Sequence, residues 1–168
     1  EIDLEQGPLQ LLATSTEGWS NLCRLSSVLA LRDNPDAPCL LETLFQYSKD
    51  LIALCENPHG LQDGFEDRLY VPLRNISSAG SLSAQARNLG LPTVVAHPVY
   101  YQAPEQARLQ KTLAAIRLNQ TVTTIPQHTL APTDAWFMPP QIIEERFKEF
   151  PEALRATMEI AKRCHFDL

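Results

Sequence analysis

At 168 residues, with 44 % hydrophobic and 20 % charged positions, the chain suits one domain with its own core and is too apolar for disorder over most of its length. Fourteen Lys and Arg stand against 20 Asp and Glu, a net charge of −6. That balance argues against an isolated nucleic-acid grip, which needs clustered basic side chains, and leaves open DNA binding by a larger protein that carries this piece. No apolar run reaches the ~20 residues of a membrane helix, and Glu1-Ile2-Asp3-Leu4-Glu5 lacks the basic-then-apolar order of a signal peptide. A soluble cytoplasmic protein is expected. A start without Met and an abrupt end at Asp167-Leu168 suggest an excised fragment. Cys23, Cys39, Cys55 and Cys164 are widely spaced with no CxxC pair, so reduced thiols are expected rather than cysteine-held zinc.

In chain order, Leu9 to Ala13 is a short apolar run that predicts a buried strand. Thr16-Glu17-Gly18 opens a helix to about Ala30, with Trp19, Leu22, Leu25 and Leu29 on one face. Asp33-Asn34-Pro35-Asp36 is a break. Leu40 to Ser48 predicts a helix with Leu41, Leu44 and Phe45 inward, and Leu51 to Cys55 a buried strand ending in the loop Asn57-Pro58-His59-Gly60. Arg68 to Leu73 is the next strand, in which Pro72 removes a ladder donor. Ser81 to Leu89 follows as a helix along Leu82, Ala86 and Leu89, with Gly90 at its C-terminal cap, then the strand Thr93 to Ala96.

Pro104 begins a helix by the first-turn rule, with Leu109, Leu113 and Ile116 as its stripe. Residues 119–135 read as a polar, proline-bearing loop. Pro139 or Pro140 starts a helix along Ile143, Phe147 and Phe150, and Pro151 a last one along Leu154, Met158 and Ala161. Strands alternating with helices, with near-continuous apolar strands, predict an α/β fold with parallel pairing.

Several segments, taken together and in order, carry a family resemblance over about residues 9–168. The helix Phe150-Pro151-Glu152-Ala153-Leu154-Arg155-Ala156-Thr157-Met158-Glu159-Ile160-Ala161-Lys162-Arg163-Cys164 is the most specific. Trp136-Phe137-Met138 with Glu144-Glu145-Arg146-Phe147, the strand Leu91-Pro92-Thr93-Val94-Val95-Ala96, the helix start Glu17-Gly18-Trp19-Ser20-Asn21-Leu22 and the strand Leu51-Ile52-Ala53-Leu54 complete the set. They resemble the later part of the PHP (polymerase and histidinol phosphatase) domain of bacterial C-family DNA polymerases, of the DNA polymerase III alpha or error-prone kind.

The resemblance implies part of a distorted (β/α)7 barrel followed by C-terminal helices. Residues 1–103 would supply later strands and helices of that barrel, and 104–168 a helical segment leading toward the polymerase palm. The family's opening H-x-H strand and the palm aspartates have no counterpart here, and after His59 the chain is shorter than the family.

PHP domains hold metals with His, Asp, Glu and sometimes Cys at strand ends, and such metals can generate hydroxide and clamp a phosphate. The family's Y-x-E-L-x-x-H corresponds to Tyr70-Val71-Pro72-Leu73-Arg74-Asn75-Ile76, with Pro72 for Glu and Ile76 for His. Its N-D-V-H-Y corresponds, one residue short, to His97-Pro98-Val99-Tyr100-Tyr101, with Pro98 for Asp and Tyr100 for His. The expectation is therefore a metal-free domain with no catalytic residue. His97 reads either as a remnant ligand or phosphate contact, or as a hydrogen-bonded loop histidine. His59, His128 and His165 read as surface residues.

The remaining constellations read structurally. Ser26-Ser27 has no histidine nearby in sequence. Glu144-Glu145 reads as a solvated face, and Glu159 with Arg163 as an i,i+4 ion pair. Lys162-Arg163 fits the helix dipole, with a DNA-backbone contact as the other possibility. Trp19 and Trp136 read as core anchors rather than base-stacking platforms.

The expected role is a structural and interaction part of such a polymerase, whose whole parent would extend primers with magnesium. Partners would be the remaining polymerase chain (palm and thumb), a proofreading exonuclease subunit, and DNA through the parent, with no membrane. The rival is a metal-dependent phosphoesterase or 3′–5′ exonuclease of the PHP superfamily. A third reading is a free-standing adaptor unrelated to polymerases.

Overall fold

The computed structural model describes every residue except 35, 166 and 168, and the backbone alone at 128. Its elements in chain order are strands β1 (Ile2–Leu4) and β2 (Gly7–Ala13), helices α1 (Thr16–Ala30) and α2 (Leu41–Gln46), strand β3 (Leu51–Cys55), helix α3 (Gln62–Phe65), strand β4 (Leu69–Leu73), helix α4 (Ile76–Asn88), strand β5 (Thr93–Val95), and helices α5 (Ala107–Arg117), α6 (Pro140–Arg146) and α7 (Pro151–Arg163). They fall into two compact units, residues 1–96 with 150–168, and residues 97–149.

The larger unit is built on a five-stranded sheet in the order β1-β2-β3-β4-β5. β1–β2 and β2–β3 are antiparallel, while β3–β4 and β4–β5 are parallel. The expected parallel pairing thus holds for three of the strands, and the sheet as a whole is mixed α/β. The hairpin of β1 escaped the sequence reading; its local signal is Gly7, at φ 124°, a conformation glycine adopts without strain.

All five residues of β3 and of β4 are buried. Side chains alternate across a strand, so an unbroken apolar run means both faces are covered. Leu51, Ala53 and Cys55 join Leu25 of α1, Leu44 of α2 and Phe65 of α3 in one core layer. Ile52 and Leu54 join Ala156 and Ile160 of α7 in the opposite layer. Arg68 ties the first layer together: its guanidinium donates to the carbonyls of Ser48 (2.6 Å), Leu51 (2.9 Å) and Gly64 (3.3 Å), over the Phe65 ring.

Pro72 sits in a central strand without breaking the sheet. Val71 N–H points to the β5 side, where it reaches the Pro92 carbonyl at 2.9 Å. Alternation turns the nitrogen of Pro72 toward β3, and the β3–β4 register has already ended at Leu54 and Tyr70. The missing donor falls where no ladder acceptor waits.

Two helix faces, and one residue of a third, differ from the sequence reading. In α1 Leu25 is buried and Leu22 and Leu29 pack against the same core as predicted, with Gly18 and Asn21 also buried, while Trp19 is 43 % exposed rather than a core anchor. The cause is a close approach: Gly18 lies against the Asp50 carbonyl, and Asn21 Nδ2 donates to the Lys49 carbonyl at 3.2 Å. In α7 the buried stripe is Ala153, Ala156 and Ile160, one residue round from the predicted one, and Met158 is exposed. Alanines let that helix lie close on β5, where Thr157 Oγ1 donates to the Val95 carbonyl at 3.1 Å.

In the smaller unit, α5 buries Ala114 and Ala115 against Ile125 and leaves Leu109, Leu113 and Ile116 in solvent. α4 begins at Ile76, five residues before the predicted start. Asn75 caps it by accepting from Ser78 N–H at 3.0 Å. Gly90, at φ 67°, closes it as expected. Pro35 of the predicted break lies outside the described residues. No helix among the described residues is long and apolar enough to cross a membrane.

Candidate functional site

In the larger unit, the carboxyl ends of β3, β4 and β5 point the same way, the edge at which parallel sheets carry ligands. Pro72 lies near the end of β4, and its ring is buried. Leu73-Arg74-Asn75 then turns the chain into α4, so Ile76 is the first residue of a helix, with its side chain exposed. Arg74 Nε pairs with Glu56 Oε1, just past β3, at 3.4 Å. Asn75 Oδ1 accepts from Ser77 Oγ (2.7 Å), Ser78 N–H (3.0 Å) and Ser78 Oγ (3.0 Å), so its lone pairs are committed to the cap.

His97, Pro98 and Tyr100 belong to the smaller unit. There residues 100–101 run beside 135–137: Tyr100 N–H donates to the Ala135 carbonyl (2.8 Å) and Phe137 N–H to the Tyr101 carbonyl (2.9 Å). Tyr101 is buried and donates its hydroxyl to the Pro132 carbonyl at 2.8 Å; burial raises its pKa. Tyr100 is 64 % exposed, with its ring outward.

His97 Nε2 lies 3.2 Å from the Trp136 carbonyl. A carbonyl only accepts, so Nε2 carries the hydrogen of this contact. Nδ1 is buried and has no protein partner. The nearby Asp134 carboxylate is hydrogen-bonded by Arg146, which holds its carboxyl below the usual range, with His97 adding a smaller pull the same way. The histidine is thus anchored at one nitrogen, with the other nitrogen enclosed.

Among the described residues no three His, Cys, Asp or Glu side chains cluster in a way that would hold a metal ion. The four cysteines are free, and burial raises the pKa of Cys39, Cys55 and Cys164. His59 and His165 are exposed; the side chain of His128 lies outside the described residues. Ser26 and Ser27 are exposed on α1, and Ser27 Oγ bonds the Cys23 carbonyl of its own helix at 2.9 Å. Glu144 and Glu145 are solvated, Glu145 pairing with Lys148.

Arg163 does not pair with Glu159. It donates instead to the Tyr70 hydroxyl at 3.2 Å, pinning the end of α7 to β4. Trp136 is half-buried, and its carbonyl rather than its ring makes the contact with His97. The sequence reading missed the Asn75 cap and the Arg68 clamp. Asn75 with serines two and three residues on was a signal for the first; nothing local announced the second.

These are the features of a mixed α/β domain with helices on both sheet faces. No family model matches the chain. It is similar over its whole length to the error-prone DNA polymerase of Pseudomonas aeruginosa, at 34 % identity, where the match covers 18 % of that protein. Over 89 % of the chain it is 32 % identical to error-prone DNA polymerase 1 of Agrobacterium fabrum, covering 15 % of it. The DNA polymerase III subunit alpha of Bacillus subtilis is 29 % identical over the whole chain, covering 17 % of that protein. The chain therefore spans less than a fifth of the length of these relatives, and corresponds to one segment of each.

Proposed function

We propose that the chain is a structural and interaction segment of a bacterial DNA polymerase III alpha-type or error-prone polymerase, drawn from the later part of a PHP domain, with no catalysis of its own. The observation that carries the reading is the similarity itself: it runs along nearly the whole chain and falls on proteins named as polymerases. The parallel run β3-β4-β5 with flanking helices suits part of a (β/α)7 barrel. Residues 1–103 would be that part, and 104–168 the lead toward the palm.

The residues at the family's ligand positions do not fit a metal centre. Proline and isoleucine have no donor atom, which removes Pro72, Ile76 and Pro98. The Tyr100 ring stands in solvent, and a neutral tyrosine is a poor ligand near pH 7. One imidazole, His97, does not make a site. Packed apolar faces need none of these groups, so a scaffold role survives their loss. Primer extension with magnesium, contact with DNA, and docking of palm, thumb or a proofreading exonuclease would belong to the whole parent.

One observation favours the rival phosphoesterase or exonuclease reading: the enclosed, unpartnered Nδ1 of His97. A release assay on 3′-labelled primer with manganese separates the two. The scaffold reading expects release no faster than buffer. Release that His97→Ala abolishes would establish the rival instead.

A further inference from the structure

The inverted face of α5 carries an inference of its own. Leu109, Leu113 and Ile116 recur at i, i+4 and i+7, the spacing of one helix stripe, yet they are 56, 57 and 70 % exposed. Leu113, Gln110 and Tyr100 form a ridge between two hollows. One, about 360 Å³, is also lined by Arg117, Thr129 and Leu130. The other, about 270 Å³, is also lined by Tyr101, Gln106 and Leu109. Each is large enough to hold an aliphatic side chain of an opposing helix.

Charge selects the occupant. Arg117 lines one hollow and Arg108 flanks the stripe, while Lys111, two residues from both Leu109 and Leu113, lies on the far side of the helix; from Ala107 to Arg117 there is no acidic residue, in a chain whose net charge is −6. Neither hollow has an acidic lining residue. A second copy pairing α5 on α5 antiparallel would set Arg108 against Arg117 at both ends, which like-charge repulsion opposes. An anionic bilayer would repel the acidic chain as a whole and cannot fill two separate hollows. An acidic helix satisfies both the apolar stripe and the arginines.

We propose that the α5 face, with the hollows on either side of Leu113, is a docking groove for an acidic amphipathic helix of a partner protein. This deepens the interaction-segment reading and rests on it for the existence of a partner. Its test is independent, since metal content and nuclease release read the scaffold claim and peptide binding reads this one.

The probes are two labelled synthetic helices of about 18 residues, with leucine at heptad a and d positions and either glutamate or lysine elsewhere. They are titrated with the 168-residue chain and followed by fluorescence anisotropy. The glutamate helix is expected to bind saturably with Kd on the order of 10 μM. Leu113→Ser should weaken it at least about tenfold, and Arg117→Glu should weaken it while strengthening the lysine helix. Both side chains are exposed, and unchanged circular dichroism confirms that the variants fold. Equal binding of the two helices, or no saturable binding, would overturn the proposal. So would self-association that Leu113→Ser abolishes, or co-sedimentation of the chain with phosphatidylserine vesicles.

Discussion

Replacing Gly18 by alanine tests the closest approach in the larger unit, and the expected sign runs against helix propensity. Gly18 is in α1, where alanine would ordinarily gain about 1 kcal/mol. Here an added Cβ would lie 2.2 Å from the Asp50 carbonyl oxygen, which is backbone and cannot swing aside. That oxygen also accepts from Thr14 N–H and Thr14 Oγ1, both at 3.0 Å. Asp50 itself holds φ 57°, leaving its peptide little room to rotate. Overpacking costs about 1–3 kcal/mol, and loosening two hydrogen bonds adds about 1 kcal/mol each. Set against the propensity gain, the net loss is about 2–4 kcal/mol. Gly80 supplies the control: it is helical and exposed in α4, with nothing within 4 Å of its added Cβ. Gly80→Ala should therefore stabilise by up to about 1 kcal/mol. Urea unfolding of the three proteins by circular dichroism reads both. A Gly18→Ala chain as stable as the parent would refute the packing of α1 on Asp50 argued above.

The other predictions follow from single contacts. Arg68→Lys should cost about 2 kcal/mol in urea unfolding, because an ammonium cannot reproduce a planar fork shared among the Ser48, Leu51 and Gly64 carbonyls. Asn75→Ala should cost about 1 kcal/mol by uncapping α4, and Asn75→Asp should restore most of it. In the smaller unit the Asp134 carboxyl is held below its ordinary value by the hydrogen bond from Arg146. The stability this gives is complete above the unfolded carboxylate value of about 4 and is lost as pH falls through the lowered folded value. Asp134→Asn should flatten that acid limb, read from Trp136 fluorescence in a Trp19→Phe background.

The strands were legible in the sequence because burial on both faces makes an unbroken apolar run. Leu51 to Cys55 has the predicted bounds, and Leu69–Leu73 differs by one residue. Helix existence was legible too, from Gly18 and Thr16 at one end of α1 and Gly90 past α4. Helix rotation was not. In α5 and α7 the large apolar residues and the alanines form separate stripes, and spacing alone cannot say which packs. The alanines pack, because a small residue lets the helix axis approach its neighbour, as Ala153 and Ala156 do near β5 and Ala114 and Ala115 do near Ile125. The candidate site divides the same way. That the side chains of Pro72, Ile76 and Pro98 offer no metal donor is read directly from residue type. The enclosure of His97 Nδ1 needed the three-dimensional course of residues 134–136, distant in sequence from residue 97.

The central claim is that this domain keeps its packing with its metal ligands gone. Elemental analysis of the purified 168-residue chain, after equilibration with zinc and manganese and removal of loose ions by gel filtration, addresses it most directly. The account predicts far less than one ion per chain and unfolding unchanged by chelator. About one tightly held ion per chain, lost together with stability in His97→Ala, would contradict it.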